Sequence, residues 1–368
     1  MLDLANAPEL RRKVFAALSW RVEARATGMS PRRGQSIRRG CGRFMEWAGA
    51  HRSLPNIPYR AAILCFHNVI AHRRDPEIEE EALELPQFRR LLRVLRDAFQ
   101  VISLAELVAA IRERRSPPPR SIVISFDDGY ATNHTVVAEE LAALGMPWSA
   151  FLPAQIIETG ARQWTDDLYL LIHRGSLRHL RLPWSDGPTE FDLHTVQQRR
   201  EALHAIRESC RYLPEGLRRI RLDGIYGLYS QDEIDALRAR YPAFAPMTWE
   251  QARELKAAGV DVGSHGLTHV ALAPQTPQAI RHEITGARDL IQARIGEHSR
   301  HFSYPYGRQA SISQDTRIIL TALGYHCALT LEQSTVDTRT QNLMELPRLI
   351  APPSAGRTLF NLWQRFIR

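Results

Sequence analysis

Lysine is nearly absent from this chain of 368 residues: only Lys13 and Lys256 occur, and arginine supplies the rest of the 48 basic side chains. Arginine richness of this kind is a habit of composition, so no nucleic-acid partner is expected from it. Cysteine is scarce too. Cys41, Cys65, Cys210 and Cys327 form no CxxC pair and no zinc-knuckle spacing. Cys65 and Cys327 lie in apolar, strand-like runs and read as buried free thiols, which favours a reducing compartment. Long apolar runs are missing as well: no stretch approaches the ~20 residues a bilayer span needs. Nor does the N-terminus show an apolar core followed by a small-residue cleavage site. Export by the general secretory route is therefore not expected. A cytoplasmic place is, peripheral to the inner face of the membrane.

What is there is unevenly spread. The net charge of +8 lies wholly in residues 1–60, which hold 12 basic against 4 acidic side chains, while the remainder balances at 36 against 36. Within that segment Pro8–Arg25 reads as a helix with Leu10, Val14, Phe15, Leu18 and Val22 on one side and arginines around it. Such a stripe either docks on the protein's own core or lies on an anionic membrane surface. Residues Thr27–Gly42, rich in Gly, Ser and Arg, read as a linker.

Three short strings stand out: Ser125-Phe126-Asp127-Asp128-Gly129, Ser264-His265-Gly266-Leu267-Thr268-His269, and Ser303-Tyr304-Pro305-Tyr306-Gly307. Each follows an apolar run and sits where a strand should end, the place where α/β proteins put their chemistry. One Asp and two His can hold a divalent metal and leave positions open for water and substrate. A second Asp remains free as a base. Around these strings, strands alternate with helices from Ala61 to Ile350, with helix starts marked by Ser103-Leu104-Ala105-Glu106 and Thr248-Trp249-Glu250-Gln251. The pattern breaks between Pro153 and Pro246. That stretch holds helical runs at Val196–Arg211 and Asp232–Arg240, a hairpin around Ser185-Asp186-Gly187, and an aromatic-acidic cluster, Trp164-Thr165-Asp166-Asp167-Leu168-Tyr169. It is either a lid over the catalytic face or a peripheral buttress.

The combination resembles the polysaccharide deacetylases, carbohydrate esterase family 4, over about 61–152 and 247–352. The resemblance implies an α/β fold, an irregular, incomplete (β/α) barrel spanning 61–352. A mostly helical insertion at 154–246 interrupts it, and a helical tail follows at 353–368. It assigns Asp127 as the base and Asp128, His265 and His269 as metal ligands, with zinc foremost and cobalt or nickel as alternatives. It also matches Tyr306 to the position whose backbone N–H points at the oxyanion.

Two departures from the family pattern matter. The arginine usual two residues before the proline of the third string is replaced by Ser303, leaving Arg300 and Arg348 as candidates. The C-terminal Leu-His pair that supplies the general acid in many members is missing. Phe66-His67-Asn68-Val69 instead resembles the motif order of poly-N-acetylglucosamine deacetylases, which makes His67 the expected acid and His326 the runner-up. His134 reads as a surface or helix-start residue.

The expected activity is metal-dependent removal of N-acetyl groups from an amino-sugar glycan or glycolipid in envelope or exopolysaccharide synthesis. Residues 1–60 either dock on the protein's own core or make peripheral contact with an anionic membrane. The alternatives are a deformylase or amidase on a lipid-linked sugar or small amide, and a glycan-binding protein without turnover.

Overall fold

The computed structural model describes residues 56–182, 184 and 189–367. The expected helix at Pro8–Arg25, the linker at Thr27–Gly42 and the turn Ser185-Asp186-Gly187 lie outside them. β1 (Arg60–Phe66) leads to the short pair β2 (Val69–Ile70) and β3 (Leu83–Glu84). Then come α1 (Leu85–Ala98), β4 (Gln100–Val101), α2 (Leu104–Arg112) and β5 (Ser121–Phe126). A π-helical turn at Asn133–Val137 opens α3 (Ala138–Ala142), and β6 (Trp148–Leu152) follows.

Segment 154–246 holds α4 (Ala154–Thr159), α5 (Trp164–Arg174), the antiparallel pair β7 (His179–Arg181) and β8 (Glu190–Asp192), α6 (Val196–Arg211), α7 (Glu215–Tyr226) and α8 (Gln231–Arg240). Alternation then resumes with α9 (Trp249–Ala257), β9 (Asp261–Ser264), α10 (Pro277–Ile295), β10 (His301–Ser303) and α11 (Gln314–Ala322). β11 (Cys327–Leu329), β12 (Val336–Asp337), β13 (Leu349–Ile350) and α12 (Ala355–Ile367) complete it.

Nine strands form one curled sheet in the order β11-β10-β9-β6-β5-β1, with β4 beside β5 and both β12 and β13 beside β1. All pairs in it are parallel except β1 with β12. Parallel strands covered on both faces should read as unbroken apolar runs, and β5 is buried at all six positions. The capping boxes at Ser103 and Thr248 both form, each side chain accepting from the N3 backbone and receiving the N3 side chain in return. Segment 346–350 closes most of the curl. Leu346 bridges to Leu329 of β11, and Leu349 pairs with Leu64 of β1. This is the incomplete (β/α) barrel that the resemblance implied.

The segment at 154–246 has an apolar core of its own, in which Leu168, Leu171, Ile206, Ile225 and Tyr229 pack together with Ile78. Helices α5 and α7 were not expected. Trp164–Tyr169, read from the sequence as a cluster, is the first turn and a half of α5. No helix among the described residues is long and apolar enough to cross a membrane.

Candidate active site

β5 ends at Phe126, and the chain then turns through two successive left-handed residues, Asp128 (φ 71°) and Gly129 (φ 63°). In an extended strand, neighbouring side chains point to opposite faces. The left-handed pair breaks that alternation and brings both carboxylates to one place. His265 Nε2 lies 3.9 Å from Asp127 Oδ2 and 3.5 Å from Asp128 Oδ1. Gly129 carries the turn because it meets no Cβ penalty there. Six non-glycine residues among those described have a left-handed φ, and Asp128, His269 and Tyr306 are three of them. Strain of this kind costs on the order of 1–3 kcal/mol per residue and concentrates at functional sites.

Asp128, His265 and His269 converge with one ligand atom each, all within 4.8 Å of one another. His265 Nδ1 sits 2.7 Å from the carbonyl of Ser303. A carbonyl can only accept, so that ring nitrogen carries the hydrogen and Nε2 is the atom that faces the cluster. His269 Nε2 lies 3.2 Å from Asp128 Oδ1. Burial opposes the charge on Asp128, but hydrogen bonds with both histidines hold its pKa well below the usual carboxylate range. A carboxylate and two imidazoles directed at one point fit a divalent cation. The loop carrying the histidines is clamped from two sides. Buried Glu283 of α10 accepts from the N–H groups of Leu267 and Thr268, and Arg218 of α7 donates to the carbonyls of Thr268 and His269. Neither residue had a sequence signal, since each reads as one more charge on a helix.

Asp127 is buried beside a wholly buried guanidinium. Arg348 Nη1 and Nη2 donate to its Oδ1 and Oδ2 at 2.8 and 2.7 Å. Burial works against the charge, yet Arg348 and then His265 bring Asp127 down to about 2. Ser303, at the position where the family pattern has arginine, donates its hydroxyl to the same Oδ2 at 3.1 Å and accepts from Arg348 at 2.8 Å. Of the two arginines considered, Arg348 is therefore the one that reaches the site. It does so because it sits in the 346–350 segment that closes the curl. Arg300 precedes β10, and its carbonyl accepts from His326 N–H.

His67 follows the end of β1, half-buried, with a ligand atom within 4.8 Å of those of Asp127 and Cys65. His326 is elsewhere. It precedes β11, its ring 6.1 Å from that of His301, which in turn bonds Asp261 at the start of β9. Parallel strands put all these residues at the end of the sheet opposite Asp127, so the runner-up acid lies away from the site. His134 pairs with Glu254 at the surface, as read.

Tyr306, with φ 62°, has its ring 5.0 Å from that of His269. Its hydroxyl accepts from Trp164 Nε1 at 3.0 Å. Two neighbours of Trp164 also reach the barrel. Gln163 Nε2 is 3.4 Å from Asp128 Oδ1, and Asp166 Oδ2 accepts from Tyr130 at 2.8 Å. Burial and the nearby Asp128 charge raise Asp166 to about 7. The aromatic-acidic cluster was the signal for this contact, although its target was not legible.

Residues 229–328 match the family model for polysaccharide deacetylase, a stretch that includes both histidines and Tyr306 but not the Asp pair. A Bacillus subtilis (strain 168) protein named as a candidate polysaccharide deacetylase, YxkH, is 26% identical over 117 residues. That match covers 32% of this chain and 40% of the relative's length. Among solved structures, the Streptococcus pyogenes deacetylase PplD, in complex with acetate, aligns with a TM-score of 0.55 at 15% identity, over 83% of this chain and 99% of that one. IcaB from Ammonifex degensii aligns at 0.53 and 17% identity, over 83% and 97%. At such identities the alignments speak for the fold. Motifs, matched segment and fold agree: the chain carries a segment that matches the polysaccharide deacetylase family and has the fold of solved deacetylases.

Proposed function

We propose that the protein is a metal-dependent N-deacetylase of an amino-sugar glycan or glycolipid used in envelope or exopolysaccharide synthesis. The observation that carries this reading is the meeting of three metal-donor atoms with an arginine-paired carboxylate and a half-buried histidine at one end of a parallel sheet. Asp128, His265 and His269 would hold the cation, zinc foremost. When bound, it supplies an acidified water and polarises the acetamide carbonyl.

The chain's own residues do the rest. Asp127 receives the proton of the attacking water on a carboxylate that Arg348 keeps charged and fixed in orientation. The Tyr306 backbone N–H donates to the oxyanion in this reading, from a loop whose Tyr306 hydroxyl accepts from Trp164. His67 delivers a proton to the departing nitrogen, without which an amide is a poor leaving group. Two departures, the missing family arginine and the missing C-terminal Leu-His pair, spoke for a non-catalytic reading; the bonds from Arg348 to Asp127 speak against the first.

The test is acetate release from N-acetylglucosamine oligomers by zinc-loaded protein. Release that stops on chelation and returns with zinc is expected. Equal release from the chelated protein would overturn the reading.

A further inference from the structure

Asp166 and Asp167 are neighbours with different employment. Asp167 is fully committed, held by two bonds from Arg238 of α8. Asp166 gives one oxygen to Tyr130, while its Oδ1 has no donor among the described residues, and the side chain is only half-buried. Its place is beside the chemistry, because Tyr130 stands two residues after Asp128 and Gln163, three residues before Asp166, bonds Asp128.

Across from it, α6 presents Arg207 and Arg211, four residues apart and so on one helix face. The Arg211 guanidinium lies 5.7 Å from the centre of the Tyr306 ring. Arg207 is near enough to Tyr130, Asp166 and Tyr306 to act on all three electrostatically. It makes no ion pair among the described residues, and its Nε is buried without a partner. Asp166 keeps an oxygen without a donor next to the metal-donor cluster, and Arg207, on the helix face that brings Arg211 to the Tyr306 ring, keeps spare donors. The Trp164–Tyr306 pair adds aromatic surface alongside.

We propose that Asp166 and Arg207, carried by the 154–246 insertion, form a hydroxyl-reading subsite for the sugar ring that bears the acetamide. A carboxylate accepts from one ring hydroxyl while a guanidinium donates to its neighbour, a pairing that matches vicinal hydroxyls. An amide without hydroxyls gains nothing there. This rests on the deacetylase reading and deepens it, selecting a sugar over a small cyclic amide.

The test uses the zinc-loaded full chain and the N-acetylglucosamine tetramer as probe, with calorimetry for binding and acetate release for turnover. At a pH above its value of about 7, where Asp166 is charged, Asp166→Asn should weaken binding and raise KM by about ten-fold or more, since bonds to a charged group are the strong ones. kcat should change far less, and zinc content and melting temperature should stay as in the wild type. Arg207→Gln should give a smaller rise in KM. Wild-type turnover with KM unchanged in both variants would overturn the subsite and leave the deacetylase reading standing. A fall in kcat alone would overturn it too, placing Asp166 in the chemical step. If the wild type releases no acetate, the deacetylase reading fails, and binding then decides the subsite. Weaker binding by Asp166→Asn supports it, and equal or absent binding overturns it.

Discussion

The barrel and the insertion each bring an adjacent pair of aspartates to the same place, and the two pairs are built alike. In each, one acid is clamped by an arginine from a distant element: Asp127 by Arg348, Asp167 by Arg238. The other acid, Asp128 or Asp166, faces the site. The backbone solutions differ. On the barrel, a left-handed turn swings both side chains to one side of the strand end. On the insertion, the helix separates neighbours by about 100°, so Asp166 meets the barrel while Asp167 meets α8. Burial differs as well: Arg348 is wholly buried, whereas a third of the Arg238 side chain is exposed. The clamp on the barrel pair is thus shut away from water, and the clamp on the insertion pair is partly open to it.

The widest break between the pairs should come from the acids that face the site. Asp128→Asn should strip the metal and drop turnover to background, with His265→Ala doing the same. Asp127→Asn should keep the metal and lose about 10²–10⁴-fold in kcat, the usual worth of a general base. Metal analysis beside steady-state kinetics checks this. Equal metal loss in the two aspartate variants would show that the barrel acids do not divide their roles.

Next come the arginines. Arg348→Met leaves a buried carboxylate without its partner, a change typically worth about 3–5 kcal/mol of stability. Arg238→Met should cost much less, since water already reaches that pair. The sign for pH follows from Asp127, whose folded pKa of about 2 lies below the usual carboxylate value of ~3.9. Its pairing therefore contributes stability that is fully present above pH ~3.9 and is lost as pH falls towards 2. Removing Arg348 should raise that pKa and move the acid limb of kcat/KM to higher pH, with no such movement for Arg238→Met. Denaturant melts and a pH–rate profile read both effects.

The proton donor separates the two ends of the sheet. His67→Ala should cost about 10²–10⁴-fold in kcat on an amide with metal content unchanged, and far less on an activated ester, whose leaving group needs little help. His326→Ala should be mild, because His326 lies at the opposite end of the strands beside His301. The reverse order would return the acid to the C-terminal strand.

Most of the barrel could be read from sequence because its signals are local. Apolar runs such as Ile122-Val123-Ile124 mark buried strands, and the capping boxes at Ser103 and Thr248 mark helix starts. The Asp and His strings were legible because strand ends put them side by side. Arg348 could only be named as a candidate, since its contact with Asp127 spans 221 positions and depends on how segment 346–350 closes the curl. The insertion was least legible. Its α5 and α7 are organised by contacts with the barrel and with each other, such as Arg218 on the His269 loop, and periodicity carries no record of those.

The smallest expected effect tests the seam between the two regions. Trp164→Phe keeps an aromatic ring in the wall and removes only the indole N–H that donates to the Tyr306 hydroxyl at 3.0 Å. A neutral hydrogen bond of this kind is worth about 0.5–1.5 kcal/mol net, so the melting temperature should fall only slightly. Tyr306 sits in a left-handed conformation that its surroundings must hold, and loosening one restraint should blur the position of its backbone N–H. A fall in kcat of a few-fold is expected, with KM for the glycan nearly unchanged, because an oxyanion contact acts in the transition state and not on the bound sugar. Trp164→Ala should add loss of ring surface and raise KM as well. If Trp164→Phe instead raises KM and spares kcat, the insertion touches the barrel through the substrate alone, and the comparison would sharpen into recognition on one side and chemistry wholly on the other.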